Sequence, residues 1–194
     1  MKIFVTGIDT NIGKTVFSAI LCRALGADYF KPIQSGDLDN SDSKNLKKFG
    51  IHTFPEALRL PLPKSPNFSS PVPIKLENIN LPNTDKPLVV EGAGGVLVPL
   101  NQKDFIIDLA KKWDIPVILV CKSYLGSLNH TLLTIEAIRA RNIKILGLVF
   151  NGDSNEESED FLTKRTGLKI LLRISKEKEI NQNVIEKYAQ ELVL

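Results

Sequence analysis

A three-layer α/β fold, with a mostly parallel central sheet and helices on both faces, is what this chain predicts. Three observations carry that expectation. Its short β-branched runs lack the polar alternation of a half-exposed strand, so both faces of the sheet are covered. Segments of helical periodicity separate those runs, which calls for right-handed crossovers between parallel strands. A glycine-bearing turn that ends in Gly13-Lys14-Thr15 joins the first strand to the first helix.

The elements follow in order. KIFVT (2–6) reads as a buried strand and Lys14 to Leu25 as the helix after it. A second strand is expected within ADYFKPI (27–33). From His52 to Pro87 the rhythm breaks, because this stretch holds most of the 11 prolines. Proline at that density disfavours helix interiors and central strands, so an excursion over the surface, covering a site, is expected. Strands return in LVVEG (88–92), PVILVC (116–121), KILGLVF (144–150) and LKILLRI (168–174). The helices between and after them are Phe105 to Trp113, Leu128 to Arg141, Ser154 to Thr166 and Asn181 to Leu192.

At 194 residues the chain fits one domain, 1–194, with a full core. A net charge of +3 is too small and too dispersed to argue for nucleic acid, so no nucleic-acid partner is expected. No apolar run reaches the roughly 20 residues of a membrane span, and MKIFVTG reads as a strand and not as an export signal. The expected setting is cytoplasmic. Cys22 and Cys121 lie in the apolar contexts AILCRAL and VILVCKS, which suits buried reduced thiols.

The turn VTGIDTNIGKT (5–15) carries the chemistry. It ends as a phosphate-binding loop ends, but its first glycine, Gly7, stands one place earlier than the usual spacing. The flanks, a strand before and a helix after, are those such a loop requires. The backbone N–H groups of Asp9, Asn11, Ile12 and Gly13 then face an anion at a helix start. Lys14 reaches the outer phosphates and the Thr15 hydroxyl ligates Mg²⁺. A nucleotide triphosphate also needs a carboxylate for the metal. Glu91 ends the run LVVE, on the sheet edge where open α/β folds bind ligands. Gly92 and Gly94 behind it allow close backbone approach. Lys31, before Pro32, and Ser35 converge on the same edge, and Asp42 stands near a helix start, where it suits either a cap or a metal.

Taken in order, TGIDTNIGKT, KPIQSG, VEGAGGVLVPL, PVILV, LGSLNHTLLT and GLVFN resemble dethiobiotin synthetases, whose loop has the same displaced glycine. The resemblance runs from residue 2 to about residue 151. It implies ATP- and Mg²⁺-dependent ring closure on 7,8-diaminopelargonic acid and CO₂, through a carbamate and its phosphorylated anhydride. It implies Lys14 and Thr15 at the phosphates, with Thr15, Asp42 and Glu91 as the metal shell. Thr10, Lys31 and Ser35 take the carbamate and the transferring phosphate. Gly126, Ser127, Leu128 and Asn129 hold the substrate carboxylate across a homodimer interface, and Asn151 meets the base. Ser175, where the family typically has proline, marks the base-binding turn. Asn11 and Asn67 depart from acidic and histidine positions respectively.

Two other readings share parts of this pattern. Amidoligases of the cobyrinic acid type have the loop and EGAGG, but they use a glutaminase domain for which this length leaves no room. Partition and division ATPases, which switch on DNA or membrane, usually carry an additional early lysine where this chain has Asp9.

Overall fold

The computed structural model describes residues 1–194. Strand β1 (Lys2–Gly7) leads through the glycine turn into α1 (Lys14–Leu25) and β2 (Asp28–Phe30). Short elements follow: β3 (Ile33–Ser35), α2 (Asp42–Lys48), β4 (Leu58–Leu60) and α3 (Pro66–Ser69). Regular alternation resumes with β5 (Leu88–Glu91), α4 (Ile107–Trp113), β6 (Val117–Cys121), α5 (Ser127–Arg139), β7 (Ile145–Asn151), α6 (Glu156–Thr166), β8 (Ile170–Ile174) and α7 (Gln182–Glu191). Six strands form one sheet in the order β2-β5-β1-β6-β7-β8, and every pairing in it is parallel.

The period of two along each strand sorts side chains between two cores. Ile3 and Val5 of β1 and Ile118 and Val120 of β6 point to one face, where Phe17, Ile20 and Leu21 of α1 and Ile185 and Tyr188 of α7 cover them. Phe4 of β1, Leu88 and Val90 of β5 and Val117 of β6 point the other way, onto Ile107, Leu109 and Ala110 of α4. Leu119 and Cys121 of β6 meet Ile135 of α5 and Leu162 of α6 on that second face. A side chain such as Phe17, fully buried, contributes about 1.5–3 kcal/mol by leaving water. Both cysteines are buried and free.

The strand expected within 27–33 is β2, which ends at Phe30, and a further short strand, β3, begins at Ile33. Pro32 has no N–H to give to a ladder, and there the chain leaves the main sheet. β3 instead pairs in parallel with β4, and the Pro32 carbonyl accepts from Leu58 N at 3.0 Å.

The proline-rich stretch is an arch fixed at both feet. At its start Tyr29 N donates to the His52 carbonyl, and Phe54 N donates to the Tyr29 carbonyl, each at 2.9 Å. At its end Thr84 Oγ1 donates to Asp28 Oδ2 at 2.7 Å. Lys112 of α4 grips the descending limb, donating to the carbonyls of Glu77 (2.9 Å) and Ile79 (2.6 Å). Ile74 and Ile79 are buried beneath it. The crest, Pro63 to Pro66, borders a cavity beside the glycine turn, so the excursion walls a site with one short segment and packs on the core with the rest.

Candidate active site

The turn after β1 has the geometry an anion needs. Gly13 stands at the helix N-cap with φ +98°, and no side chain caps the helix start, which leaves the first N–H groups of α1 unpaired. A side chain at Gly13 would collide with Asn151, 2.1 Å from its Nδ2. Gly7 explains the displaced spacing: a Cβ there would lie 2.2 Å from Ile12 Cδ1, so the missing side chain lets Ile12 fold under the loop. Asn11 takes a left-handed φ of +56°, a conformation Asn tolerates better than most residues.

Lys14 is buried, and its Nζ donates to the Asp9 carbonyl at 2.7 Å. Burial, and then the positive charge of Lys31, push its pKa down to about 8. An anion at the loop mouth relieves both effects.

Opposite the loop stands a compact charge cluster. Glu91, at the carboxyl end of β5, is 1% exposed and accepts from three donors: Thr15 Oγ1 at 3.0 Å, Tyr29 Oη at 2.9 Å and Lys31 Nζ at 2.9 Å. Asp42 accepts from Thr15 Oγ1 at 2.9 Å and pairs with Lys31 Nζ at 2.5 Å. Burial by itself would lower the Lys31 pKa, but the charges of Glu91 and Asp42 outweigh it and raise the value above the ordinary lysine range. For Asp42 burial pulls upward, and Lys31 outweighs it and holds the carboxyl below its usual range.

The two sequence readings of Asp42 separate here. Ser41 caps α2, its side chain accepting from Lys44 N, and this leaves the Asp42 carboxylate free to turn toward Thr15. Tyr29 was not singled out in the sequence. It is fully buried, and burial followed by the Glu91 charge raises its pKa well above the normal phenol value. It therefore remains a neutral donor that fixes one Glu91 oxygen. The only sequence signal for it was a tyrosine in the strand that leads to Lys31.

A cavity of about 700 Å³ opens over this cluster, lined by Thr10, Asn11, Gly13, Lys14, Thr15, Lys31, Ser35, Asp42, Glu91 and Gly94 among others. Ser35 Oγ is buried there without a hydrogen-bond partner, as expected of a group that meets a ligand. Gly92 lends its carbonyl to Lys31 at 3.3 Å. Ile12 is buried, and its carbonyl accepts from Asn151 Nδ2 at 2.9 Å, so the end of β7 reaches the loop.

Other expected site residues lie apart. Gly126, Ser127 and Leu128 line a separate cleft of about 540 Å³ together with Asp153 and Asn155. Gly126, with φ +93°, stands at the N-cap of α5 without a side-chain cap. Asn129 is exposed and does not cap the helix. The neighbouring His130, which has no expected role, pairs through Nδ1 with Tyr124 Oη at 2.9 Å. Ser175 is exposed beyond β8, and its N–H donates to Tyr188 Oη at 3.0 Å. Asn67 lies in α3, with its Oδ1 buried and unpartnered.

Thr15, Asp42 and Glu91 form a hard-oxygen set of the kind Mg²⁺ takes. No cluster of three or more His, Cys, Asp or Glu suited to a metal occurs in the chain. The set fits a cation that completes its shell with phosphate oxygens and water. No helix is long and apolar enough to cross a membrane.

Comparisons with known proteins bear on the family and the fold. The profile of a family described as an AAA domain matches residues 1–184. The ATP-dependent dethiobiotin synthetase BioD of Christiangramia forsetii is 46% identical over 96% of this chain and 93% of its own. That of Cytophaga hutchinsonii is 47% identical over 98% and 96%. That of Chlamydia pneumoniae is 45% identical over 98% and 88%. Among solved structures, a ParA family ATPase from Chlorobium tepidum TLS superposes with TM-score 0.54 at 16% identity, over 97% of this chain and 90% of that one. A putative plasmid partition protein from Borrelia burgdorferi B31, bound to AMPPNP, superposes with TM-score 0.57 at 13% identity, over 98% and 94%. At such identities the structural likeness speaks for the fold alone, whereas the sequence relatives match nearly end to end. On that ground the chain belongs to the ATP-dependent dethiobiotin synthetase family.

Proposed function

We propose that residues 1–194 act as one domain that closes the ureido ring of dethiobiotin from 7,8-diaminopelargonic acid, CO₂ and ATP. One observation carries the reading beyond kinship: two buried ammonium groups, Lys14 and Lys31, meet the unpartnered Ser35 hydroxyl and Thr10 in one cavity at the mouth of a phosphate loop. One substrate amine takes up CO₂ and loses a proton, giving a carbamate. A carbamate oxygen attacks the γ-phosphorus and ADP departs. The second amine then attacks the carbonyl carbon and gives up a proton, phosphate leaves, and the ring closes.

A carbamate is a weak anionic nucleophile meeting another anion, so charge neutralisation and alignment matter more than a strong base. Lys14 suits the phosphates held by the loop and Lys31 the junction between carbamate and transferring phosphate, with Thr10 and Ser35 orienting the two by hydrogen bonds. Thr15, Asp42 and Glu91 would hold Mg²⁺, which supplies further neutralisation of the phosphates. The N–H groups of Asp9, Asn11, Ile12 and Gly13 line the phosphate path. Gly92 and Gly94 allow close approach beside it. Asn151 and Ser175 border the base.

We assign Gly126 to Asn129 to the substrate carboxylate of a partner protomer, in a homodimer within the cytoplasm. The support is local: the uncapped start of α5 favours an anion, and around it Leu125 is fully exposed, with Tyr124 and Leu133 exposed as well. Sedimentation equilibrium is expected to return a dimer at assay concentrations, and a strictly monomeric active enzyme would reject that part.

The deciding experiment for the activity is ADP release, followed by coupled assay with diaminopelargonic acid, bicarbonate, ATP and Mg²⁺. Substrate-dependent ADP is expected; well-folded protein that gives none sinks the assignment.

A further inference from the structure

We propose that Lys31 serves the free protein as a built-in counter-ion, occupying the gap between Asp42 and Glu91 that a divalent cation has to enter, so that metal entry and release of Lys31 toward the transferring phosphate are one coupled event. The proposal rests on the ligase reading and deepens it: it states what keeps the site in order before nucleotide arrives.

The contacts of Lys31 leave little room for another cation. Its Nζ lies 2.5 Å from Asp42 Oδ2 and 2.9 Å from Glu91 Oε1, and the residue is 4% exposed. Thr15, the third oxygen donor, is drawn into the same knot, 2.9 Å from Asp42 and 3.0 Å from Glu91. Its hydroxyl has one hydrogen to share between them.

Glu91 cannot swing away to make space, because Tyr29 Oη holds its second oxygen at 2.9 Å from a fully buried position. Lys14 does not share the balancing: its Nζ donates to the Asp9 carbonyl and forms an ion pair with neither carboxylate. An ammonium and a dication a few ångströms apart in a poorly solvated site repel strongly. Metal entry therefore needs Lys31 to leave, and Lys31, buried and charged, needs another anion to leave for. ATP supplies that anion in its γ-phosphate, at the loop mouth where Lys31 already lines the cavity. Metal and nucleotide then bind cooperatively, and by linkage each strengthens the other.

The test measures metal binding in the absence of nucleotide and substrate. Mn²⁺, observed by electron paramagnetic resonance, is titrated into wild-type protein, Lys31→Met and Lys31→Gln. The glutamine variant keeps a hydrogen-bond donor to the carboxylates, which guards against misfolding. Both variants are expected to bind Mn²⁺ at least about tenfold more tightly than wild type, one such step corresponding to 1.4 kcal/mol. Adding Asp42→Asn is expected to remove the gain. In wild type alone, ATP is expected to tighten Mn²⁺ binding more than it does in the variants. Equal or weaker Mn²⁺ affinity in the folded glutamine variant overturns the proposal. Wild-type ADP release does not enter this readout, so an inactive wild type with the Mn²⁺ gain intact would count against the ligase reading only. An active wild type without the gain would count against the counter-ion role only.

Discussion

Lys14→Ala is expected to lower substrate-dependent ADP release about 10³-fold or more, on the order of 4 kcal/mol of transition-state stabilisation, the scale for removing a charged group aimed at a transferring phosphoryl. The fold is expected to survive, for a reason the site supplies. The Lys14 pKa is depressed to about 8 from 10.5. A lysine shifted that way weakens the fold while it is protonated in the native state, and the unfolded chain binds more protons between those two values. The penalty is therefore full below about pH 8 and fades as pH rises toward the unfolded value. Lys14→Met, which keeps the apolar stem, should accordingly melt no lower than wild type at pH 7, with any advantage shrinking toward pH 10. Differential scanning calorimetry at the two pH values checks the sign, and the coupled ADP assay checks the rate. Near-normal turnover in Lys14→Ala would remove the lysine from the reaction.

Glu91→Gln should damage both properties together. The carboxylate accepts from Thr15, Tyr29 and Lys31 while 1% exposed. A glutamine offers one carbonyl oxygen to three donors and sets an N–H₂ group against one of them. Lys31 keeps Asp42 but loses half of its buried compensation. Breaking a buried ion pair from one side costs about 3–5 kcal/mol. A loss of roughly 2–4 kcal/mol in urea denaturation is expected, since Asp42 remains. Activity should fall at least about 10²-fold through the weakened hold on the metal and on Lys31. Two neighbours in one cavity thus have opposite stability signs: Lys14 is there at the expense of the fold, Glu91 in support of it. A Glu91→Gln protein as stable and as active as wild type would disprove this account of the cluster.

What the sequence made legible depended on how local the governing physics was. The loop, α1 and the strand that ends at Glu91 follow from short-range periodicity and glycine placement, and their residues stand where the pattern put them. The strand expected within 27–33 is present as β2, but its end at Phe30 was not legible, because beyond Pro32 the chain changes sheets to pair with β4, more than twenty residues on. Asp42 suits either a cap or a metal by sequence, because nothing local says that Ser41 and not Asp42 caps α2. Tyr29 could not be picked out at all, since its role depends on β2 lying beside β5, and a buried tyrosine in a strand otherwise looks like core. The arch over 52–87 was legible as an irregular excursion, but not the grip of Lys112 on its descending carbonyls.

The hydrogen bond from Asn151 to the Ile12 carbonyl has a consequence for how the protein comes into being. The phosphate loop is encoded in the first fifteen residues, yet one of its ties is supplied 139 positions later. While the chain emerges from the ribosome, the loop has its glycines, its lysine and its strand, but not its last brace. Nucleotide recognition is on this view a late acquisition of synthesis: a fragment that ends before β7 carries the entire motif and still lacks the finished cradle.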